Sequence, residues 1–352
     1  MTDPLSASPP TPFVSVIIPT YNRSWRLRAA VESFLSQSYP EDRYEIILAD
    51  NNSSDDTPQV IDDLARENDR VIALSEPRRG AHFARNSAAV KARGEILYFT
   101  DDDMLATPDL LQQIVAGFDA GENIGAVTGR VLPQWETQPP QWVLDHCHNS
   151  LLSLIDRGER TIVSDSDPGA FSCHQGIRRE AFIRAGGFNP DTNAGEFTGD
   201  NETGLNIKVK ALGYRFAYVG RATIYHVIPG SRMTQRYVNG RFADQGLADS
   251  YTAYRALNMG KGRLLRRMLW HSALAIGTSG KALARRAAND SRWRIDLGRV
   301  FYFRNRVRYD ARLLRSEKWR SFVMQSDWVS GSSVTGSGEN SGGLAHGSEA
   351  RA

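Results

Sequence analysis

The first hundred residues repeat one pattern, a short continuous apolar run followed by a longer segment with helical spacing. The runs are "FVSVIIPTY", "YEIILADNN", "RVIALSE" and "EILYFTDDD", and between them lie "SWRLRAAVESFLSQSY", "DTPQVIDDLAREN" and "GAHFARNSAAVKAR". Apolar runs of this length without polar alternation suit strands buried on both faces, and helical crossovers between them impose a parallel sheet. The expected fold class is therefore α/β, a Rossmann-like, mostly parallel sheet with helices on both faces. Ligands of such sheets bind beyond the carboxyl ends of the strands. Three of those ends are polar: Pro19-Thr20-Tyr21-Asn22, Asp50-Asn51-Asn52 and Asp101-Asp102-Asp103.

Later segments add "GAVTGRVLP" as a strand, "GAFSCHQGIRREAFIRAGGFNP" as a strand and a helix stopping at Gly186-Gly187, "GDNETGLNIKVKALGY" as a helix and "RFAYVGRATIYHV" as a strand or hairpin. From about 245 the strands stop and Arg-rich helical segments begin. The end is Gly/Ser-rich and is expected to be disordered. Residues 1–12 are Pro/Ser/Thr-rich without a basic region followed by an apolar run, which reads as a flexible leader and not a signal peptide. The two cysteines, Cys147 and Cys173, form no disulfide framework, so a reducing, cytoplasmic setting is expected. Their neighbours His146, His148 and His174 fit no standard zinc spacing. No run of about 18 uncharged apolar residues offers a spanning helix.

The formal net charge of +3 conceals an asymmetry. Residues 1–254 carry 24 basic and 33 acidic groups, while residues 255–320 carry 18 and 4, a net +14. Such a block suits either a helical appendage with a solvated basic face or contact with an anionic membrane; "LLRRMLWHSALAIG" is too short to span but long enough to lie in an interface. No nucleic-acid-binding motif accompanies it, so no nucleic acid partner is expected.

Three carboxylates at a strand end are costly. Neighbours about 6 Å apart at an effective dielectric near 20 repel by about 3 kcal/mol per pair, so the cluster calls for a cation or hydrogen-bond donors. In an extended segment Asp101 and Asp103 would share one side. Hard oxygen ligands in small number, leaving room for waters and phosphates, suit Mg²⁺ or Mn²⁺.

"VSVIIPTYNR", "LADNNSSDDT", "GAHFARNSAAVKARGEILYFTDDDM" and "IRREAFIRAGGF", in this order and spacing, resemble the family-2 glycosyltransferases over about residues 13–228. The resemblance implies the GT-A fold and dependence on a nucleoside-diphosphate sugar donor. It implies a donor site made of Pro19, Thr20, Tyr21, Arg23, Asp50, Arg85, Asn86, Asp101 and Asp102, with Asp103, Asp101 and His226 at the metal. Counting back from Gly213 places the family's second acidic residue on Glu202, the expected catalytic base, with Asp200 as its rival; Asn201 departs from the usual acidic pair. Gln175, Trp135 and Trp142 fall on the acceptor side, where the tryptophans suit either sugar stacking or core anchoring. The domain organisation expected is 13–245 for the GT-A part (nucleotide-sugar part 13–130, acceptor part 131–245), 246–325 for a basic helical appendage and 326–352 for a disordered tail. The expected function is inverting, metal-dependent sugar transfer to a saccharide or lipid-linked acceptor, on the inner face of the membrane if the basic block docks there. A sugar-nucleotide nucleotidyltransferase is the competing enzyme class, although "IIPTYNRSWRL" lacks the Gly-rich phosphate loop it needs. A non-catalytic nucleotide-sugar-binding protein is the third reading.

Overall fold

The computed structural model of the protein describes residues 11–191 and 199–330. The expected alternation is present as β1 (Val14–Thr20), α1 (Ser24–Leu35), β2 (Tyr44–Asp50), α2 (Thr57–Glu67), β3 (Val71–Ser75), α3 (Ala81–Lys91) and β4 (Ile96–Thr100). These strands pair in parallel in the order 3-2-1-4. Strands β1, β2 and β4 are buried along their whole length, which is why they read as unbroken apolar runs. Successive side chains point to opposite faces. On β1, Val14, Val16 and Ile18 pack with Leu27, Val31 and Phe34 of α1, while Ile17 joins Ala84 and Ala88 of α3 on the other side.

The chain continues with β5 (Met104–Ala106), α4 (Leu110–Gly117), β6 (Ile124–Trp135), α5 (Gln141–His146), β7 (Thr161–Ser164), β8 (His174–Arg178), α6 (Arg179–Arg184), α7 (Asn201–Ala211) and β9 (Arg215–Ile228). These strands extend the sheet from β4 in the order 4-8-6-9-5, with β7 on β9. Here β8 runs antiparallel to both β4 and β6, and β6 runs parallel to β9, so this half is mixed where the first is wholly parallel. Helix α6 stops at Gly186-Gly187, both with positive φ (73° and 70°). A Cβ on Gly187 would lie 2.5 Å from Val329 and 2.8 Å from the Asn86 amide oxygen, so the position takes only glycine.

Four helices follow: α8 (Gln235–Leu257), α9 (Lys261–Ala287), α10 (Trp293–Arg315) and α11 (Glu317–Met324). Helix α8 runs through the expected boundary at 246 without a break. Its Tyr251 and Tyr254 share a small core with Leu264, Tyr309, Leu313 and Trp319, and its Thr252 reaches back to bond Asp200 (2.8 Å). The expected start of the tail at 326 is also corrected. The Trp328 N–H donates to the Gly186 carbonyl (2.9 Å), its indole to the Asn189 side chain (3.1 Å), and Val329 is buried. The leader's residues 1–10 and the tail's residues 331–352 lie outside the described residues. Among the described residues no helix is long and apolar enough to cross a membrane.

Candidate active site

The register of the sheet decides which side chains meet. Thr20 and Asp50 are paired at the ends of β1 and β2, and β4 stops one residue before Asp101. The chain then turns, with the Met104 N–H donating to the Asp101 carbonyl (3.2 Å). Strand β5 pairs with β9 so that Met104 faces His226, and the Val227 N–H donates to the Asp103 carbonyl (2.9 Å). The triplet therefore lies in a turn, and the side-sharing of Asp101 and Asp103 that an extended segment would give does not occur. Each carboxylate has its own partner. Asp101 is ion-paired with Arg85 of α3; Asp102 accepts from the Thr20 hydroxyl (2.7 Å); Asp103 accepts from Arg232 (2.8 Å) and lies 3.8 Å from His226 Nε2.

This distribution splits the acidities of neighbouring groups. Burial and the adjacent Asp103 charge push the Asp102 carboxyl up, against the Arg23 guanidinium and the Thr20 hydroxyl. Burial would raise Asp103 as well, but Arg232 and His226 outweigh it and hold Asp103 below the usual carboxylate range. Burial works against the Arg232 charge, and the Asp103 carboxylate more than compensates.

Glu202 stands in the first turn of α7. Its carboxylate lies 3.4 Å from the Ser172 hydroxyl and 3.9 Å from His82 Nε2, and burial raises its pKa while the Arg241 and Arg85 charges oppose the rise. His82 and Arg85 occupy one face of α3. Arg85 donates to His82 Nδ1 (3.1 Å), which assigns the ring proton to Nε2, facing Glu202. Burial, with the Arg85 charge, holds His82 well below its ordinary pKa and therefore neutral. Its ring is stacked on Phe188 (4.5 Å between centroids). A continuous series of polar contacts thus runs from Asp101 through Arg85 and His82 to Glu202. The buried Cys173 thiol, pushed well up by burial, also feels Asp101, Glu202 and Asp103.

Residues 15–186 match the model of the glycosyl transferase family 2. The matched segment, just under half of the chain, is a domain of this family. The architecture of the chain is a mixed α/β sheet flanked by helices and followed by C-terminal helices. This glycosyltransferase is 26% identical over 221 residues to a glucosyl-dolichyl phosphate glucuronosyltransferase of Haloferax volcanii, covering 60% of this chain and 68% of the relative. It is 37% identical over 94 residues to a GalNAc(5)-diNAcBac-PP-undecaprenol beta-1,3-glucosyltransferase of Campylobacter jejuni, covering 26% of this chain and 30% of the relative. The solved mannosyltransferase PcManGT of Pyrobaculum calidifontis, in complex with GDP-Man and Mn²⁺, is similar with a TM-score of 0.48 and 21% identity, covering 81% of this chain and 86% of that one.

The expected donor residues of the glycosyltransferase gather at the strand ends, with one exception. Pro19 and Thr20 end β1, Asp50 accepts from the Ser53 N–H (3.2 Å), and Tyr21 lies at the surface beneath the Arg79 guanidinium (4.9 Å to the ring). Arg23 is fixed by its N–H to the Thr57 hydroxyl (2.9 Å). Asn86 is the exception: its amide is spent on the Phe188 N–H and carbonyl (both 2.9 Å), so it clamps the chain after α6 and does not line the pocket. Asp200 is corrected as a base candidate. It is fully buried, and its two oxygens are occupied by Asn189 and Thr252 (both 2.8 Å).

On the acceptor side, Gln175 is completely buried and donates to Asn206 (2.7 Å), so it does not face an acceptor. Trp142 is likewise an anchor, half-buried under the Arg294 guanidinium (4.7 Å) of α10. Trp135 lines a 660 Å³ cavity with Pro139, Pro140 and Leu144, on the strand whose Pro133 faces His226. Sequence reasoning missed His82, Arg232 and Arg241. The spacing of His82 and Arg85 on a helix face could have revealed the first; nothing local marks the other two.

Among the described residues no cluster of three or more His, Cys, Asp or Glu side chains could hold a metal. The pair Asp103 and His226 nevertheless fits one. Asp103 Oδ1 is buried without a hydrogen-bond partner. His226 donates from Nδ1 to the Leu152 carbonyl (2.9 Å), and its Nε2, 3.8 Å from the Asp103 carboxylate, accepts from Arg232, the guanidinium an ion held by this pair would displace. Asp101, held by Arg85, stands apart from that pair.

Proposed function

We propose that the chain transfers a sugar from a nucleoside-diphosphate sugar to a hydroxyl of a lipid-linked saccharide acceptor, with inversion at the anomeric carbon. The observation that carries this reading is the placement of Glu202, a carboxylate with a raised pKa, at the far end of the contacts that start from Asp101. A base with a pKa moved toward the working pH is the group a displacement at an anomeric carbon needs. The acceptor oxygen bonds to the anomeric carbon, the carbon–oxygen bond to the diphosphate breaks with its electron pair leaving on the diphosphate, and the acceptor proton passes to Glu202. His82, neutral with its Nε2–H toward Glu202, orients that carboxylate. Thr20, Tyr21 and Asp50 form the nucleoside end, and Arg23 and Arg232 face the diphosphate.

Asp103 and His226 are the residues that would hold Mg²⁺ or Mn²⁺, with the other ligands drawn from phosphate and water. A bound divalent ion supplies charge stabilisation to a leaving diphosphate. The lipid-linked acceptor is supported by the names of two relatives, whose substrates carry dolichyl phosphate and undecaprenyl diphosphate. It is supported as well by Arg241, a guanidinium whose Nε is buried without a partner and whose charge acts on Glu202.

A panel of nucleotide sugars, with and without Mn²⁺ and with polyprenyl-phosphate-linked acceptors, tests the reading by release of nucleoside diphosphate. Acceptor-dependent release with one donor is expected. Release of pyrophosphate from a nucleoside triphosphate and a sugar phosphate would instead identify a nucleotidyltransferase.

A further inference from the structure

Helix α9 carries seven basic residues and no acidic one over its 27 residues. One face is buried through Leu264, His271, Ala275 and Ala282. About 120° around the helix from that face, Leu265, Leu269, Ile276 and Leu283 are 50%, 66%, 75% and 70% exposed. At about 100° per residue these four fall within about 40° of one line, so they form a continuous apolar ridge along the helix. Scattered exposed leucines are ordinary, but an aligned row of them is a contact surface.

Beside the ridge lie Arg263, Arg266 and Trp270, the last 64% exposed. Among the described residues neither arginine is in an ion pair. With Leu257, Met259 and Arg306 they line a 520 Å³ recess where α9 meets the end of α8 and the middle of α10. The recess is cationic and apolar at once, which complements the anionic phosphate and the apolar acyl chains of a lipid.

We propose that the outward face of α9 is a docking surface for an anionic lipid bilayer. The ridge enters the acyl boundary, Trp270 lies at headgroup level, and Arg263 and Arg266 engage lipid phosphates. Charge selects this occupant. A second copy of the chain would set the exposed Arg263 and Arg266, which have no ion-pair partner among the described residues, against the same two cations, and a nucleic acid would leave the leucine ridge in water. The inference goes beyond the proposed transfer reaction and shares with it only the expectation that the acceptor resides in a membrane.

The test is flotation of the full chain with phosphatidylcholine vesicles, with and without phosphatidylglycerol, for wild type, Leu269→Asp/Ile276→Asp and Arg263→Gln/Arg266→Gln. Wild type floats with the anionic vesicles and is released by salt. The arginine pair weakens partitioning about 30-fold and removes the preference for anionic lipid. The apolar pair weakens it by about 10²-fold. Because the ridge is exposed, both variants keep the wild-type melting temperature and wild-type turnover on detergent-solubilised acceptor. That turnover separates a failure of docking from a failure of the transfer reading. The proposal is overturned if wild type does not float, if the apolar pair floats as wild type does, or if the apolar pair converts a wild-type dimer to a monomer. Capture of a duplex oligonucleotide that survives the apolar pair overturns it as well.

Discussion

Arg232 is the cation that the folded protein itself supplies to Asp103, and its removal has a calculable consequence. At 2.8 Å and an effective dielectric of about 20, the two charges attract by about 6 kcal/mol. Arg232→Met removes that attraction and leaves a buried carboxylate whose second oxygen already lacks a partner. Breaking a buried pair from one side costs about 3–5 kcal/mol, and the partial exposure of Arg232 (20%) places this pair near the lower figure. A loss of about 3 kcal/mol corresponds in a chain of this size to a fall in Tm of about 4–5 °C.

The loss depends on pH in a defined direction. Asp103 is held below its ordinary value, so its contribution is present above the unfolded-state pKa of about 4 and disappears as pH falls through the lower folded-state value. The gap between wild type and variant is therefore widest at neutral pH and narrows in acid. Mn²⁺ is expected to restore more stability to the variant than to wild type, because it meets the same bare carboxylate without displacing a guanidinium. Differential scanning fluorimetry across pH, with and without Mn²⁺, measures all of this. A shift below about 1 °C at neutral pH would refute the assignment of Arg232 as the Asp103 counter-ion.

Three other outcomes follow from the same geometry. Asp200→Asn turns an amide NH₂ toward the Asn189 or Thr252 donor and should cost about 1–3 kcal/mol of stability while folded enzyme keeps its turnover; lost turnover at unchanged Tm would restore Asp200 as a base. His82→Leu should lower kcat with donor KM unchanged and shift the alkaline-rising limb of the pH profile, with His82→Gln giving partial rescue; an unshifted limb would reduce His82 to a packing role. Asp102, whose pKa is raised, costs stability as pH rises from its unfolded value of about 4 through its folded one. Asp102→Asn is accordingly expected to melt higher than wild type at neutral pH and to lose that advantage in acid, and an advantage that grew on acidification would contradict the burial argument.

The parallel half of the sheet was legible because β1, β2 and β4 are buried on both faces, so their sequences carry no polar interruption to mistake for a turn. Asp101–Asp103 stood out as a candidate site because they directly follow such a strand. Which carboxylate does what was not legible. What distinguishes Asp200 from Glu202 is its bond from Thr252, a residue on α8 that nothing local connects to α7. The misplacement of Asn86 and Gln175 has the same origin: both are polar side chains at strand or helix ends that tertiary structure turned inward, one to the Phe188 backbone and the other to Asn206. Arg232 reaches Asp103 across 129 positions of sequence, so its role emerges only from the pairing of β5 with β9. The basic block was visible by counting, and the helical spacing of Leu265, Leu269 and Ile276 was visible in the sequence as well. Which side of α9 packs on α10 was not, because that depends on contacts between helices far apart in the chain.

The central claim is that Glu202 takes the proton of the acceptor hydroxyl. The direct measurement is acceptor-dependent release of nucleoside diphosphate by wild type and Glu202→Gln at saturating donor, with donor affinity measured in parallel by calorimetry. The account predicts that Glu202→Gln binds the donor as wild type does and turns over about 10²–10⁴-fold more slowly. Turnover by Glu202→Gln at the wild-type rate would contradict it.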